Sequence, residues 1–446
     1  MLNALEHFLQ QSIQSLEWIM LLLIIGGGLF LMIHSRGIPL LKMGEGIRLL
    51  FRKEESPGIT RFEALSAVIA ATVGLGNISG VAIAIHMGGP GVLVWMWITA
   101  LIGAVIKFYS CTLAVQLRTT DSKGQPLGGP MYYMSLGLPK WGKSLAIWFS
   151  LAGLFGVLPA FTANQITQTL VDVVAPDQYL ALGDWQWKLL IGIILCVLSS
   201  WVIFGGLQKI VRVTSGIVPV MVVLYLSMGV YILIDNAEAI LPSFSQIFKE
   251  AFAMEAAAAG SFWGLVIIGM RRAVFSSESG VGNAPMYHGQ SVSKNGTDEG
   301  LTALLGPLLD TVVVCTITGL IVIISGAYLN PNLNGIVLTL EAFRQLFFGV
   351  GDELLLLMVL VFGVSTLFTY SYYGVKCFGF LTQSRWGHYY NYFYIGSIIF
   401  SALVTVEVVI GIIDLSFALM CIPNMIAILW LSNHVKKEMK ARQWMT

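Results

Sequence analysis

Charge is scarce in this chain. Asp, Glu, Lys and Arg make up only 11% of its 446 residues, where a soluble domain carries about 25%. A large soluble enzyme of several domains is excluded. Disorder is excluded too, because it needs high charge and few apolar residues, and here 56% are hydrophobic. The signs nearly cancel, 25 basic against 24 acidic, so neither a nucleic-acid surface nor an acidic tail is present. Cysteine is equally sparse. Cys111, Cys196, Cys315, Cys377 and Cys421 lie apart in apolar runs, with no CxxC, which argues against a disulfide framework or a metal cluster. The histidines form no HExxH. Residues 1–17 hold no Lys or Arg, so the basic start of a secretory signal is missing.

What the chain has is long apolar runs, each of about the 20 residues needed to cross a bilayer. Eleven are expected, at roughly 18–33, 64–86, 92–117, 145–171, 189–204, 216–234, 256–288, 303–324, 354–381, 392–410 and 415–433. Ahead of them, Leu5, Phe8, Leu9, Ile13 and Leu16 recur at helical spacing. They suggest an amphipathic helix lying on the membrane surface. Lys and Arg gather in alternate connections, eighteen on one side and three on the other. The positive-inside rule then puts the N-terminus outside and the C-terminus in the cytoplasm.

Two of these runs are interrupted. Gly74-Leu75-Gly76-Asn77 in the second recurs as Gly280-Val281-Gly282-Asn283 in the seventh, which also carries Arg271, Arg272 and Glu278. Runs 2–6 and 7–11 are two sets of five. Because five is odd, the second set enters the membrane from the opposite side. An inverted repeat whose copies each begin with a glycine-interrupted helix points to a secondary transporter with its site at the breaks. Unwinding frees backbone groups that cannot face lipid but can line a cavity. The half-helix N-terminus suits a carboxylate, and freed carbonyls with hydroxyls suit a hard cation. A zwitterionic amino acid with sodium fits such a site. The division expected is 1–63 (surface helix, first span and basic loop), 64–234 (first repeat, broken helix 64–86), 252–435 (second repeat, broken helix 256–288) and a cytoplasmic tail, 436–446.

The motifs themselves resemble a known family. Ala71-Thr72-Val73-Gly74-Leu75-Gly76-Asn77-Ile78-Ser79-Gly80 is similar to the signature of the alanine or glycine:cation symporters. Gly88-Gly89-Pro90-Gly91, Gly128-Gly129-Pro130-Met131-Tyr132, Phe275-Ser276-Ser277-Glu278-Ser279-Gly280, Leu309-Asp310-Thr311 and Ser371-Tyr372-Tyr373-Gly374 follow in order. The resemblance covers about residues 18–435. It implies an all-α, leucine-transporter-like five-plus-five fold with an extra N-terminal helix. It also implies sodium-coupled uptake of a small neutral L-amino acid, alanine, glycine or a close relative, with the D-form left open.

By position, the resemblance implies substrate contacts at Thr72, Gly74, Gly76, Asn77, Gln165, Phe275, Thr366 and Tyr370. It implies sodium ligands at Ala70, Val73, Ser365 and Thr366, with Asn77 for a second ion. Tyr370 stands where the family usually has Trp, and Ser277-Glu278-Ser279-Gly280 replaces Asn-Glu-Ala-Gly.

The partners expected are therefore the amino acid, Na+ and the bilayer, with no organic cofactor, nucleic acid or obligatory protein partner and no enzymatic step. The location expected is a bacterial inner membrane. A proton-coupled symporter and a passive small-solute channel are the alternatives. Gly137 to Ser144 spells GxxxxGK[ST] and would favour an ATP-driven permease, but it sits in a loop before a membrane run and is read as a chance match. Lys107 and Asp310 are expected to pair inside the protein, and Glu278 to accept hydrogen bonds from freed backbone N–H groups.

Overall fold

The computed structural model describes residues 2–52, 58–121, 124–174, 183–252, 261–347, 349–383 and 385–444. Among these residues it is helical apart from a two-stranded hairpin, Thr119–Thr120 with Pro126–Leu127, and an isolated bridge between Ile59 and Ser291. Among the described residues, eight helices are long and apolar enough to cross a membrane, nine if one bent pair counts as a span. They are Gln11–His34, Val92–Gln116, Gly142–Val173, Trp185–Ile203, Gly206–Asp235, Gly296–Ser325, Gly351–Leu381 and Val406–Trp430, with the pair Arg61–Thr72 and Gly76–Gly88 bent by 51°. Large apolar side chains point outward from them, Ile33, Trp201 and Val223 among them. That surface suits lipid rather than water.

The chain's start is one helical path from Leu2–Leu21 through a π-helical turn, Leu22–Gly26, into Gly27–His34. A surface helix distinct from the first span would need a break near residue 17, and the helix continues there. Leu9 and Ile13 are buried. Leu9 packs where Gly411 has no side chain, since a Cβ there would sit 3.0 Å from the leucine Cδ1. The side chains of Leu5 and Phe8 lie outside the described residues.

The first interrupted helix starts at a capping box. The Thr60 side chain accepts from the Glu63 backbone, and the Glu63 side chain accepts from the Thr60 backbone. It runs as Arg61–Thr72, stops at Val73 and resumes as a π-helical turn, Gly76–Gly80, continuing into Val81–Gly88. The second runs as Ser261–Ser277 and resumes as Ala284–His288. Residues 256–260 of that expected span lie outside the described residues. Glu278, Gly280 and Gly282 all have positive φ, 52°, 83° and 102°. Positive φ at alternate residues cannot continue a right-handed α-helix. Arg271 and Arg272 do not interrupt it, because the helix passes through both. Arg272 donates to Asp414 at 3.1 Å, and Arg271 pairs with Glu17, so the buried Arg272 and the partly buried Arg271 are matched by acids from the last and first long helices.

The expected span at 145–171 is itself divided into Gly142–Gly156 and Ala160–Val174 around Pro159, since proline cannot donate within a helix. Tyr390–Leu403 and Val406–Trp430 meet at residues 404–405, earlier than the boundary expected after 410. Gly137 ends one helix and Gly142 opens another. The element before the GxxxxGK[ST] stretch is a helix, not the buried strand that a phosphate loop follows.

Candidate functional site

Both breaks approach one small cavity of about 20 Å3. Its wall is Ala71, Thr72, Gly74, Leu75 and Gly76 from the first break, Phe275 from the second interrupted helix, Thr366 and Tyr370 from Gly351–Leu381, and Leu158, Phe161, Thr162 and Ile413. The two glycines are fixed by their neighbours. A Cβ on Gly74 would lie 2.7 Å from the Thr366 Oγ1, and one on Gly76 3.0 Å from the Phe275 ring. Bare backbone therefore meets the cavity at these two positions. Phe275 is held edge-on by Phe161, with centroids 5.0 Å apart.

One polar group at the wall stands out. Thr72 is 3% exposed, and its hydroxyl has no hydrogen-bond partner. A buried hydroxyl left so costs about 1–3 kcal/mol. It is the kind of group a ligand satisfies.

The structure thus brings Thr72, Gly74, Gly76, Phe275, Thr366 and Tyr370 together around the cavity. Asn77 and Gln165 stand behind it. The Asn77 side chain accepts from the Gly74 N–H at 3.2 Å and donates to the Asp310 carbonyl at 3.0 Å, bracing the break rather than lining it. Thr318 donates to the Asn77 carbonyl at 2.8 Å. Gln165 accepts from Ser79 at 2.6 Å and from the Ile336 N–H at 3.1 Å, tying the first break to the helix Gly335–Leu346.

Of the expected sodium ligands, Thr366 and Ala70 meet, the threonine hydroxyl donating to the Ala70 carbonyl at 2.9 Å. Val73 is buried at the break. Ser365 donates to the Phe362 carbonyl at 2.8 Å and lies 3.7 Å from the Met221 sulfur. The group offers neutral oxygens, the donor chemistry of a hard cation.

Sequence reasoning missed Ala71, Leu75, Leu158, Phe161, Thr162 and Ile413 as wall residues. Phe161 and Thr162 precede Gln165 by four and three residues, on the same helix face, so the Gln165 assignment contained the signal. Ile413 had none.

The charged groups nearby also differ from expectation. Glu278 accepts from the Tyr370 hydroxyl, a side-chain donor rather than a freed backbone N–H. Lys107 and Asp310 are both buried, but the Lys107 ammonium has no hydrogen-bond partner. Asp310 instead accepts from Thr311 and, at 3.4 Å, from Ser276. Lys376 donates to Gln290 at 3.0 Å.

Residues 2–445 match the sodium:alanine symporter family. The chain belongs to that family. Within it, the sodium/alanine symporter AgcS of Methanococcus maripaludis is 35% identical over 97% of this chain and 96% of its own length. The probable sodium/glutamine symporter GlnT of Bacillus subtilis is 33% identical, over 99% and 91%. Among solved structures, MhsT, crystallised in complex with L-phenylalanine, superposes with a TM-score of 0.58. It covers 85% of this chain and 100% of its own at 17% identity, so that likeness bears on the fold alone. Membership in the sodium:alanine symporter family makes the protein a multi-pass membrane transporter of amino acids with a cation, not an enzyme.

Proposed function

We propose that the protein imports a small neutral amino acid, alanine or glycine foremost, and that sodium is the coupling ion. The observation that carries this reading is the partnerless Thr72 hydroxyl at a cavity walled by bare glycine backbone. A carboxylate or ammonium reaching that wall gains the hydrogen bond that the protein leaves unmade. The cavity is small and has aromatic faces at Phe275 and Tyr370, which favours a short side chain. Sodium is supported by the neutral oxygens of Ala70 and Thr366, and by a first interrupted helix with no titratable side chain between Ala64 and Ile85. Val73, Ser365 and Asn77 belong to the same proposal, as do substrate roles for Asn77 and Gln165.

We extend the reading to eleven crossings, with 64–234 and 252–435 as inverted repeats, the N-terminus outside and the C-terminus in the cytoplasm of a bacterial cell. It rests on the two matching breaks and on the basic loops.

The test is alanine binding to the purified protein at rising sodium. Affinity should climb with sodium, and Thr72→Val should weaken it about tenfold, the loss of one buried hydrogen bond. Binding indifferent to both would refute the site. A proton-coupled alternative has one observation in its favour, the buried carboxyl of Glu278 beside Tyr370.

A further inference from the structure

We propose that Glu278 is a positioning residue for the substrate pocket, holding the Tyr370 ring against the cavity and so setting the largest side chain admitted. The inference rests on the pocket proposed above.

Tyr370 lines the cavity, and its hydroxyl donates to the Glu278 Oε1. Its ring also meets Tyr373 edge-on, with centroids 5.7 Å apart. Glu278 cannot drift from this contact. Its N–H donates to the Val274 carbonyl at 2.8 Å, and its carbonyl accepts from the Val281 N–H at 3.2 Å. Its φ of 52° is one that side-chain-bearing residues rarely adopt. Glycine takes that conformation freely, as Gly280 and Gly282 do two and four residues further on. A glutamate kept there is strained, and such strain persists where the surroundings use it. Glu278 is 1% exposed, and its second carboxylate oxygen has no hydrogen-bond partner. The substrate wall at Tyr370 is thus fixed from the second break, although the backbone that lines the cavity comes from the first.

The experiment measures competition by leucine and by alanine against labelled alanine in purified full-length protein with sodium. The variants are Tyr370→Phe, Glu278→Ala, Glu278→Gln and the double variant Tyr370→Phe/Glu278→Ala. With the anchor removed, preference for alanine over leucine should fall about tenfold in Tyr370→Phe and in Glu278→Ala, a step of the size a pocket gives per methylene. The double variant should fall no further, because the two residues act as one unit. Glu278→Gln, which keeps an acceptor oxygen, should stay near the parent. A merely structural role would lower stability without moving the preference. Unchanged preference in Tyr370→Phe, or additive losses in the double variant, would overturn the proposal. If Glu278→Ala does not fold, Tyr370→Phe against the parent decides alone. Failure of the parent protein to bind alanine would instead refute the proposed function, so the two failures are distinct.

Discussion

The two breaks share a four-residue pattern and are built in opposite ways. At the first, the backbone pauses at Val73 and re-forms as a π-helical turn from Gly76, with neutral side chains around it. At the second, three left-handed residues separate the halves, a glutamate sits among them, and the turn is clamped from outside. Asn424 donates to the Gly280 carbonyl at 2.7 Å and accepts from the Tyr133 hydroxyl. Gly282 is packed so closely that a Cβ would lie 2.8 Å from Phe149 and 2.9 Å from Pro130. The first break offers backbone to the cavity, whereas the second is held rigid and acts through Phe275 and Glu278. A shared motif therefore marks where helices break, and the surrounding side chains decide what each break does.

The largest effect should follow from filling the first break. Gly76→Leu puts a side chain against the Phe275 ring, and equilibrium binding of alanine should be abolished while expression stays near normal. Normal transport by this variant would remove the first break from the site. Asn77→Ala comes next. It strips the brace from the Gly74 N–H and the Asp310 carbonyl, and two groups left unpaired at about 1–2 kcal/mol each should weaken alanine binding roughly a hundredfold. An effect within threefold would mean that the break holds its shape unaided.

Thr366→Ala should then raise the sodium needed for half-maximal uptake about tenfold, with Thr366→Ser close to the parent because it keeps the hydroxyl. Equal behaviour of the two would take the hydroxyl out of the cation site. The smallest change in affinity should come from the second clamp. Asn424→Ala should lower thermal stability by about 1–2 kcal/mol yet shift alanine affinity by less than about threefold. If it abolished binding with stability intact, the contrast between the breaks would fail.

Much of this was legible because glycine in an apolar run is a local signal. Gly74, Gly76, Gly280 and Gly282 mark both interruptions in the sequence alone, and the motif around Thr72 carried the cavity wall. The boundaries were less so. Arg271 and Arg272 look like a break because charge is costly in a membrane, yet Asp414 and Glu17, far off in the chain, neutralise them. The same limit hid the charged joint around Arg61. Arg61 lies 3.7 Å from Asp298 and 3.8 Å from Glu299, while Glu438 accepts from the Thr297 N–H at 2.8 Å. No spacing rule connects residues 61, 298 and 438. The short helices Ala237–Ala251 and Gly335–Leu346 went unread because they are too short to register as spans. Asn77 was read as a ligand by its motif, and only its partners in space show that its side chain is already occupied by Gly74 and Asp310.

Alanine accumulation in vesicles tests the central claim most directly, first under a sodium gradient at uniform pH and then under a pH gradient without sodium. Concentrative uptake should occur in the first condition and be absent in the second. Accumulation driven by the pH gradient alone, and lost in Glu278→Gln, would contradict sodium coupling and make the buried glutamate the carrier of the coupling proton.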